Sequence, residues 1–215
     1  MTVLRYGDTQ AREVSQRMAA PVANLAALAA FGIADAANGQ VALDIATGKR
    51  WIFSAACALT ADNQLVAGSG SGNGRWLLMP GTWVLTFPIT FATADAAVLF
   101  TVPTGAVLQP EEFYWTISTS FTGGSSSAIG VSSAKTGYST KGDLLGGATG
   151  DVLAGLTTAL SPTMGTVGAG FDTLAKRRAL WVATNTFRFD RITSVFTAGV
   201  GAVNAKVTLI SNPGA

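Results

Sequence analysis

From Gly39 onward the chain is cut into short apolar runs of period two, each closed by a Gly-, Pro-, Asn- or Asp-rich turn, and that punctuation leaves few folds open. QVALDIA alternates Val41, Leu43 and Ile45 on one face, and Ala46-Thr47-Gly48-Lys49 turns into RWIFSAA, where Trp51 and Phe53 share a face. Ala61-Asp62-Asn63 turns into QLVA, and the Gly/Ser/Asn run from Gly68 to Gly74 leads into RWLLMP. Residues 39–80 therefore read as a small β module of four short strands. Beyond Gly81 come TWVLTFPITFA, AVLFTVP, EFYWTISTSF and SAIGVSS, and later ALWVATNTFRFDRITSVF and AKVTLIS. Between these groups, residues 136–170 are rich in Gly and Thr and have no period, so they read as a long excursion. Strands on either side of it must pair with one another, and residues 81–215 are expected to form a jelly-roll-like β-sandwich. The fold class expected is all-β. In FRFDRI, Phe187 and Phe189 take the inner face of a half-buried strand, with Arg188 and Asp190 on the other.

Residues 1–38 differ. TQAREVSQRMA consists of good helix formers with Glu13 four residues before Arg17, and NLAALAAF spaces Leu25, Leu28 and Phe31 as one helical stripe. Arg5, Arg12 and Arg17 supply a charged face. So narrow a stripe cannot close a core alone, and it packs either on its own chain or on a partner. The segment reads as a partly helical N-terminal arm, and these six residues are the candidate partner-binding set. Ala19–Ala34 is interrupted by Pro21 and too weakly apolar to span a bilayer, so no membrane association is expected. MTVLRYGDTQ lacks the apolar run of a secretion signal, so cytoplasmic synthesis is expected.

Chemistry is constrained by what the 215 residues lack. There is no histidine, which removes imidazole bases, Ser-His-Asp and Cys-His sites and ordinary zinc sites. Cys57, the single cysteine, sits among alanines as a small core residue. Glu111 and Glu112 are neighbours in a strand and point to opposite faces, so they cannot flank one bond. Asp143 and Asp151 fall in a loop with little to separate their pKa values. GSGSGNG matches neither the dinucleotide nor the Walker pattern and reads as a turn. Lys176-Arg177-Arg178 has no surrounding basic and aromatic stripe and reads as a solvated approach to a strand. No catalytic residue, cofactor, metal or nucleic-acid partner is expected. Only 12% of residues are charged, with a net charge of +2, where a soluble domain carries about 25%. Surface this neutral is expected to be covered, with homo-oligomerisation, as a trimer, one way to cover it.

The GQVALDIATGKRWIF hairpin with its closing GSGNGRWLLMP resembles a small β module of tailed-bacteriophage virion proteins. FTGGSSSAIGVSSAKTGYSTKGDLLGG and NTFRFDRITSVFTAG also resemble a phage virion structural family with a jelly-roll domain. The resemblance spans roughly two thirds of the sequence in Gly and Ser patterns and assigns no functional residue. It implies a capsid decoration or cement protein in the virion, made in the host cytoplasm, whose partners are the major capsid protein or other virion proteins. The alternative is a tail-fibre or baseplate module binding a host-surface glycan, with Trp115 and Tyr138 as stacking candidates.

Overall fold

Side-chain bulk and turn chemistry decide where the β pattern takes hold. The computed structural model describes residues 19–31, 36–69, 74–122, 128–146, 162–163, 174–192 and 196–214. The chain divides into two units, Met1–Pro80 with Ser211–Ala215, and Gly81–Ile210.

The first unit holds a five-stranded sheet in the order β1-β2-β3-β5-β4, with β1 Ala20–Val22, β2 Val41–Asp44, β3 Arg50–Ser54, β4 Val66–Ala67 and β5 Arg75–Leu78. β1 runs parallel to β2, and the β2–β3, β3–β5 and β4–β5 pairs are antiparallel. Trp51, Phe53, Trp76 and Leu78 share one buried face. Ala42 stands opposite Trp51, and both are buried. This corrects the reading of β2: Ala42 and Asp44 are the buried pair, while Val41 and Leu43 are half-buried on the other face and Ile45 is exposed. Helix α1, Leu25–Ala30, is capped by Asn24, whose Oδ1 accepts from the Ala27 N–H at 3.0 Å. Leu28 is 0% exposed, and the Phe31 ring lies 5.9 Å from that of Trp76. Residues 20–31 are thus built into the first unit.

The second unit is a β-sandwich. One layer has the order β10-β8-β12-β6, comprising β6 Gly81–Thr90, β8 Val107–Thr122, β10 Pro162–Thr163 and β12 Ala198–Ser211. The other is β7-β11-β9, comprising β7 Ala97–Thr101, β9 Ala128–Ser132 and β11 Thr186–Ile192. A helical turn, α2 Leu174–Arg177, precedes Trp181, which bridges to Leu108, so the basic cluster begins in a helix. Phe87 and Phe113 from the first layer meet Phe100 and Phe187 from the second. Phe187 lies 5.2 Å from Phe113 and 6.1 Å from Phe87, both edge-on, the arrangement that ring quadrupoles favour. Trp181 extends the cluster to Tyr138 at 5.4 Å. Four strands in one layer and three in the other make an all-β sandwich; a jelly roll needs eight in two four-stranded layers, one beyond those described.

β6 ends its sheet. Phe91 donates its N–H to Gly199 O at 2.9 Å, so odd-numbered β6 residues face β12 and even-numbered ones direct their backbone groups to the open edge. Pro88 occupies one of those even positions and therefore loses no ladder bond.

Residues 136–146, expected to open the excursion, instead continue from 133–135 as a strap along β9 that covers Asp190 of β11. Val131 and Leu145 bridge at the edge of β9, and Leu144 and Leu145 are buried. At Gly130, Gly142 and Gly146 the strap lies backbone against backbone: a Cβ on Gly130 would sit 2.9 Å from Gly142 Cα, and one on Gly146 would sit 2.7 Å from Ile129 O. Beyond the strap, Pro162 and Thr163 pair with β8, and the other residues of the 147–170 stretch lie outside the described residues.

Candidate interaction surface

Of the six residues put forward as partner-binding, Arg5, Arg12 and Arg17 lie outside the described residues. Leu28 is wholly inside its own unit and offers no surface to a partner. Leu25 and Phe31 are half-buried beside it. The stripe resolves toward intramolecular packing.

A different surface stands out, the outer face of β6, β12 and β8. Strand alternation turns Leu85, Phe87 and Ile89 inward and Thr82, Val84, Thr86, Pro88 and Thr90 outward. On β12 the outward positions include Val200, Asn204, Lys206, Thr208 and Ile210. Side chains are tied laterally across the strands. Thr86 Oγ1 donates to Asn204 Oδ1 at 2.9 Å, and Asn204 Nδ2 donates to Thr116 Oγ1 at 2.7 Å, linking β6, β12 and β8. The Thr82 and Thr208 hydroxyls bond at 3.0 Å, Thr208 donates to Glu111, and Glu111 pairs with Lys206 at 3.4 Å. Ser118 Oγ donates to Val200 O at 3.1 Å. Val84, Val200 and Ile210 are exposed on this strand pair. Apart from the Glu111–Lys206 pair the side chains named are uncharged, their polar groups hold one another, and apolar side chains stand among them. Sequence reading recognised the strands and expects neutral surface to be covered, but does not place that surface on these three strands; the Thr and Ser at alternate outward positions are the available signal.

The ionisable clusters serve turns and loops. Asp44 accepts from the Ala46 N–H at 3.0 Å and from Thr47 Oγ1 at 2.6 Å, fixing the β2–β3 turn. Asp62 Oδ1 accepts the N–H groups of Gln64, Leu65 and Val66 at 2.8, 2.8 and 2.9 Å. Burial pushes its carboxyl up, against the pull of those bonds. Lys49 is pushed down by burial, while Asp44 and Asp62 draw it back up. In the second unit Asp190, on the strand face opposite Phe187 and Phe189, is 2% exposed: Gly142 of the strap covers it. Asp143 accepts from the Thr140 N–H at 2.7 Å, and Asp151 lies outside the described residues. Trp115 is 1% and Tyr138 7% exposed, so neither presents a ring face to a sugar. Among the described residues no three His, Cys, Asp or Glu side chains converge as a metal site, and no helix is long and apolar enough to cross a membrane. Compared with models of known families, with curated proteins and with solved structures, the chain matches none.

Proposed function

We propose that this chain is a non-catalytic structural subunit that binds other protein subunits, copies of itself included, through the outer face of β6, β12 and β8. One observation carries the reading: the polar side chains of that face already bond one another. Burying a polar group is costly when it loses its partner, and here the partners stay in place as water leaves. Val84, Val200 and Ile210 then contribute apolar area at little polar cost. Chemical silence in a histidine-free chain agrees with a structural role.

The finer reading, a decoration or cement protein on a tailed-phage head contacting the major capsid protein, rests on the resemblance of the hairpin and glycine-rich segments. The glycan-binding alternative has lost the two rings it named. Sedimentation velocity of the full chain over a concentration series tests the coarse reading. The native chain associates, whereas Val84→Glu combined with Val200→Glu sediments as a monomer with an unchanged circular dichroism spectrum. A native chain that stays monomeric at high concentration, or a double variant that associates equally, overturns the role of this face. Cryo-electron microscopy of particles carrying the chain tests the finer reading by its position on head or tail.

A further inference from the structure

The strap over the second layer is held by two carboxylates in opposite circumstances. Asp190 lies beneath it and uses both oxygens: Ser132 Oγ donates to Oδ1 at 2.8 Å, and the Gly142 N–H donates to Oδ2 at 3.0 Å. Asp95, in the turn after β6, lies at the rim, about half exposed. Its Oδ1 accepts from the Arg191 N–H at 2.9 Å, and its Oδ2 pairs with Lys141 of the strap. Lys141 also donates to Arg191 O at 2.7 Å, and the Arg191 guanidinium reaches Phe91 O. The charged groups nearest Asp190 are Asp95 and Lys141, with Arg188 and Arg191 along its own strand; β9 contributes the neutral Ser132, and β7 carries no charge.

We propose that residues 133–146 form a strap with two fastenings of opposite response to acid: Asp190 clasps it in either protonation state, whereas the Asp95–Lys141 rim holds only while Asp95 is ionised. Acid therefore loosens Asp95 from Lys141 at the rim while the strap stays closed over Asp190. The clasp tolerates a proton because Ser132 is a hydroxyl. It donates to the carboxylate, and when Oδ1 gains a hydrogen it turns to accept one, while the Gly142 N–H keeps Oδ2. The rim loses its ion pair when Asp95 gains a proton, since the ammonium cannot accept the new hydrogen and keeps only the weaker bonds to neutral oxygens.

Each carboxylate titrates accordingly. Burial is the largest influence on Asp190 and pushes it up, against the bonds from Gly142 and Ser132. The stabilisation that its bound proton adds is full below the value of a free aspartate, about 3.9, and is lost as pH rises through the higher folded value, leaving the carboxylate's bonds to Ser132 and Gly142 to hold the strap. The Lys141 bond is the largest influence on Asp95 and holds it down. Its contribution is full above about pH 3.9 and is lost as pH falls through the lower folded value, where opening of the rim grows by up to about tenfold per pH unit.

Two backbone amides report the two fastenings separately: Gly142 on Asp190 and Arg191 on Asp95. In an NMR titration of the full chain, the Gly142 amide shift moves with a midpoint above that of a free aspartate, and the Arg191 shift moves with a midpoint below it. Hydrogen-exchange protection, corrected for intrinsic rates, persists at Gly142, Leu144 and Leu145 after it has fallen at Arg191. Asp190→Asn keeps the strap amides protected and abolishes the Gly142 titration; Asp95→Asn abolishes the Arg191 titration and leaves the strap closed. The proposal is overturned if both amides titrate together, if strap protection falls with that of Arg191, or if Asp190→Asn opens the strap at neutral pH.

Discussion

The two units use aspartates shielded from water to different degrees for different ends. In the first, Asp44 and Asp62 satisfy backbone donors within four residues of themselves and so shape turns between strands as short as Val66–Ala67. In the second, Asp190 joins segments 48 and 58 residues away, and the strands are as long as the 16 residues of β8. Short strands bury too little apolar area to fix their own ends, and side-chain acceptors take over that task. Long ladders with an aromatic core fix themselves, leaving a buried carboxylate to hold what lies across them. The aspartates of the first unit therefore fix turns locally, and that of the second joins segments distant in sequence.

The largest test of this contrast is deletion of residues 1–38. β1 and Leu28 belong to the first unit's sheet and core, so the truncated chain should lose protection throughout 39–80 while 81–210 stays folded. Limited proteolysis with mass spectrometry reads this directly, and an unchanged melting profile would restore the docking-arm reading. Phe187→Ala comes next. It removes the ring on which Phe87, Phe100, Phe113 and Trp181 converge and should cost about 3–5 kcal/mol, with the exchange protection lost from the second unit. Smallest is the local acceptor. Asp62→Ala orphans three N–H groups and should cost about 1–3 kcal/mol, while Asp62→Asn keeps an acceptor and costs less. Because burial raises its folded value, Asp62 contributes most below about pH 3.9 and less as pH rises through that value, so Asp62→Asn should flatten this slope in urea titrations of the first unit. A slope of opposite sign would show that the turn's hydrogen bonds outweigh burial.

Strand alternation was legible wherever inner positions carried bulky side chains, as with Trp51 and Phe53. It misled at β2, because the inner positions hold Ala and Asp, and hydropathy then favours the wrong face. The strap escaped a reading for a related reason. Its attachment runs through Gly130, Gly142 and Gly146, and a backbone-to-backbone approach leaves no hydrophobic period in the sequence. The burial of Asp190 is not legible because alternation tells which side of a sheet a residue is on and is silent about what covers that side. The outer face of β6, β12 and β8 was hidden likewise: its lateral hydrogen bonds depend on strand neighbours 88 and 118 residues apart.

A chain with few charges and a ten-residue strand at the end of a sheet is exposed to a particular accident, growth of the sheet from one molecule into the next. Pro88 sits where an incoming strand would look for a donor, and the next such donor, Thr90 N–H, is already engaged by Thr93 Oγ1 at 2.9 Å. A cross-molecular ladder along β6 therefore meets a two-rung gap near its end. Open-ended growth of the sheet from one molecule to the next is thereby disfavoured at that end of β6. Pro88 and Thr93 together withhold from that end of β6 two donors that an added strand would need.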